Sequence, residues 1–223
     1  VLVLLSGQPG SPDDWLDSGG LAQWMDAFAA AHDGLAPVVV MPDHLGDPLN
    51  NPLCMDSRLG DVATYLSVDV PAWIRDTLQV DPHPSGWAIG GFSNGGTCSL
   101  QMAVTAPQVY PTFVDISGED EPTLGDHAAT VQAAFGGDEA AFAAVNPLDV
   151  LARKQFPGTA AFLVAGEQDT EYLPEAQRVL AACRAAGMDV QFDVKPGGHN
   201  WEVWGPGLED ALPWLATRLG MTP

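Results

Sequence analysis

Short apolar runs alternate along this chain with longer stretches whose apolar positions recur every three to four residues. The runs "VLVLLSG" (1–7), "APVVVMPD" (36–43), "GWAIGG" (86–91), "TFVDISG" (112–118), "TAAFLVAGEQD" (159–169) and "DVQFDVKPGGH" (189–199) have the length and content of buried strands. Between them, "LAQWMDAFAAAH" (21–32) sets apolar residues at 21, 24, 25, 28 and 29, the stripe of a helix. Helices are also predicted for the second half of 62–78, where Pro71 is tolerable near a first turn, and for 95–107, stopped at Pro107. Two more follow at 175–187, ended by Gly187, and at 208–219. An Ala-rich stretch, 127–145, predicts a further helix inside an insertion at 119–147. Strands alternating with helices imply a mostly parallel central sheet covered on both faces, an α/β fold in a single domain spanning 1–223. The chain opens inside a strand pattern, so opening strands are expected before Val1, with room there for a membrane anchor or membrane domain.

Composition narrows the partners. The chain has 223 residues, 46% hydrophobic and 17% charged, a globular balance. Eight Lys+Arg stand against 29 Asp+Glu, a net charge of −21, which disfavours nucleic acid and anionic bilayers. The acids are scattered and read as a solvating surface. The three cysteines, Cys54, Cys98 and Cys183, show no metal-ligand spacing, so neither a metal nor a cofactor is implied. Cys54 and Cys98 could form one bridge or stay free buried thiols, while Cys183 reads as a core residue.

"WAIGGFSNGG" (87–96) carries the chemistry. Gly91-Phe92-Ser93-Asn94-Gly95 is a G-x-S-x-G stretch between a strand and a helix, the pattern of a strained turn that exposes a nucleophile. A dinucleotide fingerprint is set aside, because Phe and Ser occupy the positions that phosphates must approach. Asp169 and His199 follow in chain order, each just past a strand, and complete a Ser, Asp, His series on one rim of the sheet. Glu171 and Glu167 are rival acids. The loop "SGQPGSPDDW" (6–15) suggests Gln8 as one oxyanion donor, with Asn94 as the other. Trp201 and Trp204 would line the substrate pocket or pack the closing helix. His44, Arg58 and Glu119 are further substrate-binding candidates, on the loop 44–60 and the insertion that flank the rim.

"SGQPGSPDDW", "GGFSNGG", "DISGEDEP", "GEQDTEY" and "GGHNWEVWGPGLEDALPWL" resemble the esterase D-like α/β-hydrolases. That group takes in secreted mycolyltransferases, S-formylglutathione hydrolase, feruloyl esterases and enterochelin esterase. The run His199, Trp201, Trp204 is most similar to the mycolyltransferase and feruloyl esterase branches. Asp169 and Ser6-Gly7 stand where mycolyltransferases commonly carry Glu and an aspartate-glycine pair. The resemblance implies an α/β-hydrolase fold with Ser93 as nucleophile, Asp169 as acid, His199 as base, and Gln8 and Asn94 as oxyanion donors. It implies hydrolysis of a small-molecule or lipid ester through an acyl-enzyme. Acyl transfer to an alcohol or sugar, and a non-catalytic binding module on the same fold, are the alternatives. An extracytoplasmic, cell-envelope or secreted location follows from the secreted branches, with the cytoplasm as the alternative.

Overall fold

The computed structural model describes residues 1–221. In chain order its first half holds β1 (Leu2–Leu5), α1 (Asp14–Asp17), α2 (Leu21–Ala31), β2 (Val39–Val40), β3 (Asp56–Ser57), β4 (Gly60–Asp61) and α3 (Val62–Thr64). A π-helical turn, Tyr65–Asp69, joins α3 to α4 (Val70–Thr77). Then come β5 (Ala88–Phe92), α5 (Asn94–Thr105), β6 (Thr112–Ile116), α6 (His127–Phe135), α7 (Glu139–Val145) and α8 (Pro147–Arg153). The chain closes with β7 (Ala160–Gly166), α9 (Tyr172–Ala185), β8 (Asp189–Lys195) and α10 (Trp201–Arg218).

Six strands form one parallel sheet in the order β2-β1-β5-β6-β7-β8, while β3 and β4 make a separate antiparallel pair. The central strands are buried along their whole length, which explains their largely apolar sequence, Thr112 and Asp115 of β6 apart. Their alternate side chains feed two cores. Leu2, Leu4, Val114 and Val164 join Trp15, Phe28, Leu208 and Leu212 on the face covered by α1, α2 and α10. Val3, Leu5, Ile89 and Leu163 join Ile74, Leu100, Val150 and Val179 on the face covered by α4, α5, α8 and α9. A third cluster packs Leu53 and Met55 of the 44–60 loop against Val131, Ala134 and Phe142 of α6 and α7.

Several elements differ from expectation. The second strand shrinks from 36–43 to Val39–Val40, at the sheet edge with a single neighbour, β1. The 62–78 segment is helical from Val62 onward, through the π turn, and not only in its second half. The Ala-rich stretch is two helices, parted where Gly136 (φ 66°) and Gly137 (φ 87°) take left-handed conformations. The closing helix starts at Trp201, not at 208: Asn200 caps it by accepting from Glu202 N–H, and Pro206 and Pro213 lie inside it. Tertiary packing overrides the Gly-Pro-Gly punctuation there. Gly207 lies so close to β7 that a Cβ would sit 3.0 Å from Val164 Cγ1. Cys54 and Cys98 are joined by a disulfide, and Cys183 is a buried free thiol.

Candidate active site

The turn between β5 and α5 is as tight as its glycines suggest. Ser93 sits at φ 53°, ψ −123°, a strained conformation for a residue with a side chain. Its N–H donates to Ile116 O at 2.8 Å, and its carbonyl accepts from Gly96 N–H at 2.8 Å. A Cβ at Gly91 would lie 2.6 Å from the Gly95 carbonyl carbon, and one at Gly95 would lie 2.5 Å from Ser6 O. Helix α5 can start this close to β1 and β5 only because both positions lack side chains.

Asp169 follows β7 and is buried at 6% exposure. Its Oδ1 accepts from Tyr172 N–H at 3.0 Å, the first turn of α9. That leaves Oδ2 at 3.0 Å from His199 Nδ1. His199 follows β8, and its Nε2 lies 3.0 Å from Ser93 Oγ. With a carboxylate at Nδ1, that nitrogen carries the hydrogen and Nε2 is free to accept the serine proton. The loop bearing His199 crosses the end of β7, where a Cβ on Gly166 would meet Gly197 O at 2.5 Å. Gly197 itself takes φ 128°.

Rings clamp the imidazole. Tyr172 stacks on His199 with centroids 3.9 Å apart, and Trp204 meets it edge-on at 5.0 Å. Sequence reasoning missed Tyr172; its place three residues after Asp169, at the head of a helix, was the available signal. Trp204 also stacks on Phe92 at 4.5 Å, and Trp201 packs against Phe92 and Trp15.

A cavity of about 420 Å³ opens beside Ser93 and His199, lined by Gly7, Gln8, Pro9, Asp14, Phe92, Trp201 and Trp204. Both tryptophans thus pack on neighbouring rings and face this space. Gly7 abuts the serine: a Cβ there would lie 3.2 Å from Ser93 Cβ. The peptide N–H groups of Gln8 and Asn94 have no hydrogen-bond partner among the described residues.

The structure keeps the other candidates out of this cavity. His44 is buried at 2% exposure, with Nε2 3.0 Å from Asn94 Oδ1. Arg58 lies against Gly136, and its N–H donates to Ala134 O at 3.1 Å, so it braces the corner between α6 and α7. Glu119 lines a separate acidic hollow of about 270 Å³ with Asp120, Glu171, Tyr172 and Glu175. Burial, then the charges of Glu175, Glu171, Asp120 and Glu121, push its carboxyl up to about 7. Glu167 and Glu171 are exposed, and neither bonds His199. The sulfurs of Cys54 and Cys98 lie near His44, but they are bonded to each other and offer no thiolate to a metal.

This architecture is that of the α/β-hydrolase fold. The structure superimposes on a ferulic acid esterase with a TM-score of 0.81, at 20% identity over 98% of this chain and 85% of that one. It superimposes on an S-formylglutathione hydrolase from Agrobacterium tumefaciens with a TM-score of 0.79, at 19% identity over 98% and 84%. The chain belongs to the esterase family described as "Putative esterase", whose model matches residues 1–215. An uncharacterized protein of Corynebacterium glutamicum is 41% identical over 227 residues, covering 99% of this chain and 53% of that protein. The chain therefore spans about half the length of this curated relative.

Proposed function

We propose that the chain is a serine hydrolase that cleaves carboxylic esters through an acyl-enzyme on Ser93. The observation that carries this reading is the continuous hydrogen-bond chain from Ser93 Oγ through both nitrogens of His199 to Asp169. His199 Nε2 takes the hydroxyl proton as Oγ attacks the ester carbonyl. Asp169 holds the imidazole in the required tautomer and stabilises the imidazolium. Free N–H groups at Gln8 and Asn94 receive the charge developing on the carbonyl oxygen, Asn94 at the N-terminus of α5. The imidazolium then protonates the leaving alcohol, and the ring next deprotonates the water that releases the acid. The His199 side chain is 28% exposed, which gives water a path to the acyl-enzyme and favours hydrolysis over transfer.

The aromatic wall of Phe92, Trp201 and Trp204 suits an apolar or aromatic portion of a small-molecule or lipid ester. The Cys54–Cys98 disulfide supports a location outside the cytoplasm. No helix among the described residues is long and apolar enough to cross a membrane.

Turnover of p-nitrophenyl esters, with mass spectrometry of a fluorophosphonate adduct, tests the scheme. Ser93→Ala abolishes both turnover and labelling. Residual turnover at the parent rate, or labelling elsewhere, removes Ser93 from the chemistry.

A further inference from the structure

We propose that His44 is a positioning residue of this site, acting through the Asn94 side chain on the Asn94 N–H that receives the oxyanion. The proposal rests on the esterase reading above and extends it to a residue that the substrate never meets. Sequence position alone suggested a substrate contact, but a ring 2% exposed and outside the Ser93 cavity cannot serve as one.

The hydrogen bonds assign every atom in the chain of contacts. Leu53 N–H donates to Asn51 Oδ1 at 3.1 Å, and Asn51 Nδ2 donates to Thr123 O at 3.1 Å, so the Asn51 amide has one orientation. Asn94 must then present Nδ2 to Asn51 Oδ1, at 3.3 Å, because two carbonyl oxygens would repel. Its Oδ1 is thereby turned to His44, whose Nε2, at 3.0 Å, must carry the hydrogen. Nδ1 of His44 is buried without a partner. A buried imidazole with one unpaired nitrogen is a poor core residue, since an aliphatic side chain would fill the space without stranding a polar atom. What the imidazole adds is the bond from Nε2. Burial holds its pKa below the usual value, against the opposing effects of Asn94 and Asp43, so the ring stays neutral near pH 7.

Asn94 is the residue whose orientation matters most here. Its peptide follows Ser93, held at φ 53°, and its N–H is left without a bond. Rotation of that peptide would swing the N–H away from the carbonyl under attack. The two bonds on the side chain, both from the 44–60 loop, oppose that rotation, and the disulfide from Cys54 to Cys98 ties the same loop to α5. The device is a staple on the oxyanion donor, held from the side away from substrate.

Steady-state kinetics on soluble esters test this, with circular dichroism and thermal melting as folding controls. His44→Ala is expected to lower kcat by about 10- to 100-fold, part of the loss that follows removal of a whole donor, with KM within about twofold of the parent. His44→Gln, whose amide can replace the Nε2–H, recovers most of the rate. Asn94→Ala keeps the peptide N–H but loses the staple, so it lowers kcat similarly, and adding His44→Ala to it changes nothing further. An unchanged kcat in His44→Ala overturns the proposal, as does a rise confined to KM or full additivity in the double variant. If His44→Ala does not fold, Asn94→Ala decides: a parental kcat there overturns the proposal. Ser93→Ala runs alongside, so that turnover independent of Ser93 sinks the esterase reading, while Ser93-dependent turnover indifferent to His44 sinks only this one.

Discussion

Asp115 offers a quantitative test of how the floor under helix α5 is built. It lies on β6, paired in register with Gly91, and is buried at 4% exposure. Its Oδ1 accepts from Gly118 N–H at 3.0 Å and lies against Gly96, in the first turn of α5. No cation pairs with it among the described residues. Burial raises its pKa from the ordinary 3.8 to about 7, with Glu175 adding to the rise and the Gly118 bond opposing it. The unfolded chain releases this proton near pH 4 and the folded chain near pH 7. Stability linked to Asp115 is therefore complete below about pH 4, falls as pH rises toward 7 and is flat above. At about 1.4 kcal/mol per pH unit, the whole window is worth about 4 kcal/mol, and the part between pH 5 and 8 about 2.5 kcal/mol. Asp115→Asn keeps the acceptor for Gly118 and removes the titration. Urea unfolding at pH 5 and pH 8 should show the parent losing about 2.5 kcal/mol more than the variant over that interval. Glu119 titrates in the same window, but it is present in both proteins and cancels in the comparison. Parallel pH profiles for the two proteins would refute the account.

Two further predictions bear on the site itself. Asp169→Asn would favour the wrong imidazole tautomer, and a fall in kcat of roughly 10⁴-fold is expected in the ester assay without loss of fold; a loss under tenfold would mean that the carboxylate is dispensable. Gly95→Ala drives a Cβ to within 2.5 Å of Ser6 O and 2.6 Å of Leu5 O, both backbone atoms that cannot swing aside. It should cost about 1–3 kcal/mol in denaturant unfolding and slow turnover, and a parental stability would contradict the packing described for the turn.

The sheet was legible because parallel strands buried on both faces write themselves as apolar runs, as Leu2–Leu5 and Ala160–Gly166 do. That Ser93, Asp169 and His199 meet at one rim was legible because G-x-S-x-G and the strand ends place them there by local rules. What stayed hidden depends on contacts remote in sequence. His44 and Asn94 are 50 residues apart, and nothing in "HLGDPLNN" announces that its histidine is interior. Arg58 reads as a substrate-binding candidate on the 44–60 loop, whereas its guanidinium packs over Gly136, the left-handed cap of α6. Helix α10 ran across two prolines because Asn200 capped it and its glycines fitted against Val164 and Trp24. Breaker rules weigh none of these.

One crossing governs the reach of His199. In the sheet β5 and β8 are separated by β6 and β7, and neighbouring strands run about 4.8 Å apart. His199 therefore travels back over the tip of β7 to arrive beside the serine, and the pass it uses is the bare α-carbon of Gly166. A side chain there would touch neither the Ser93 hydroxyl nor the imidazole, yet it would raise the bridge between them and leave both partners intact but out of range. In this fold the span between serine and histidine is thus governed by a glycine that bonds to neither side chain.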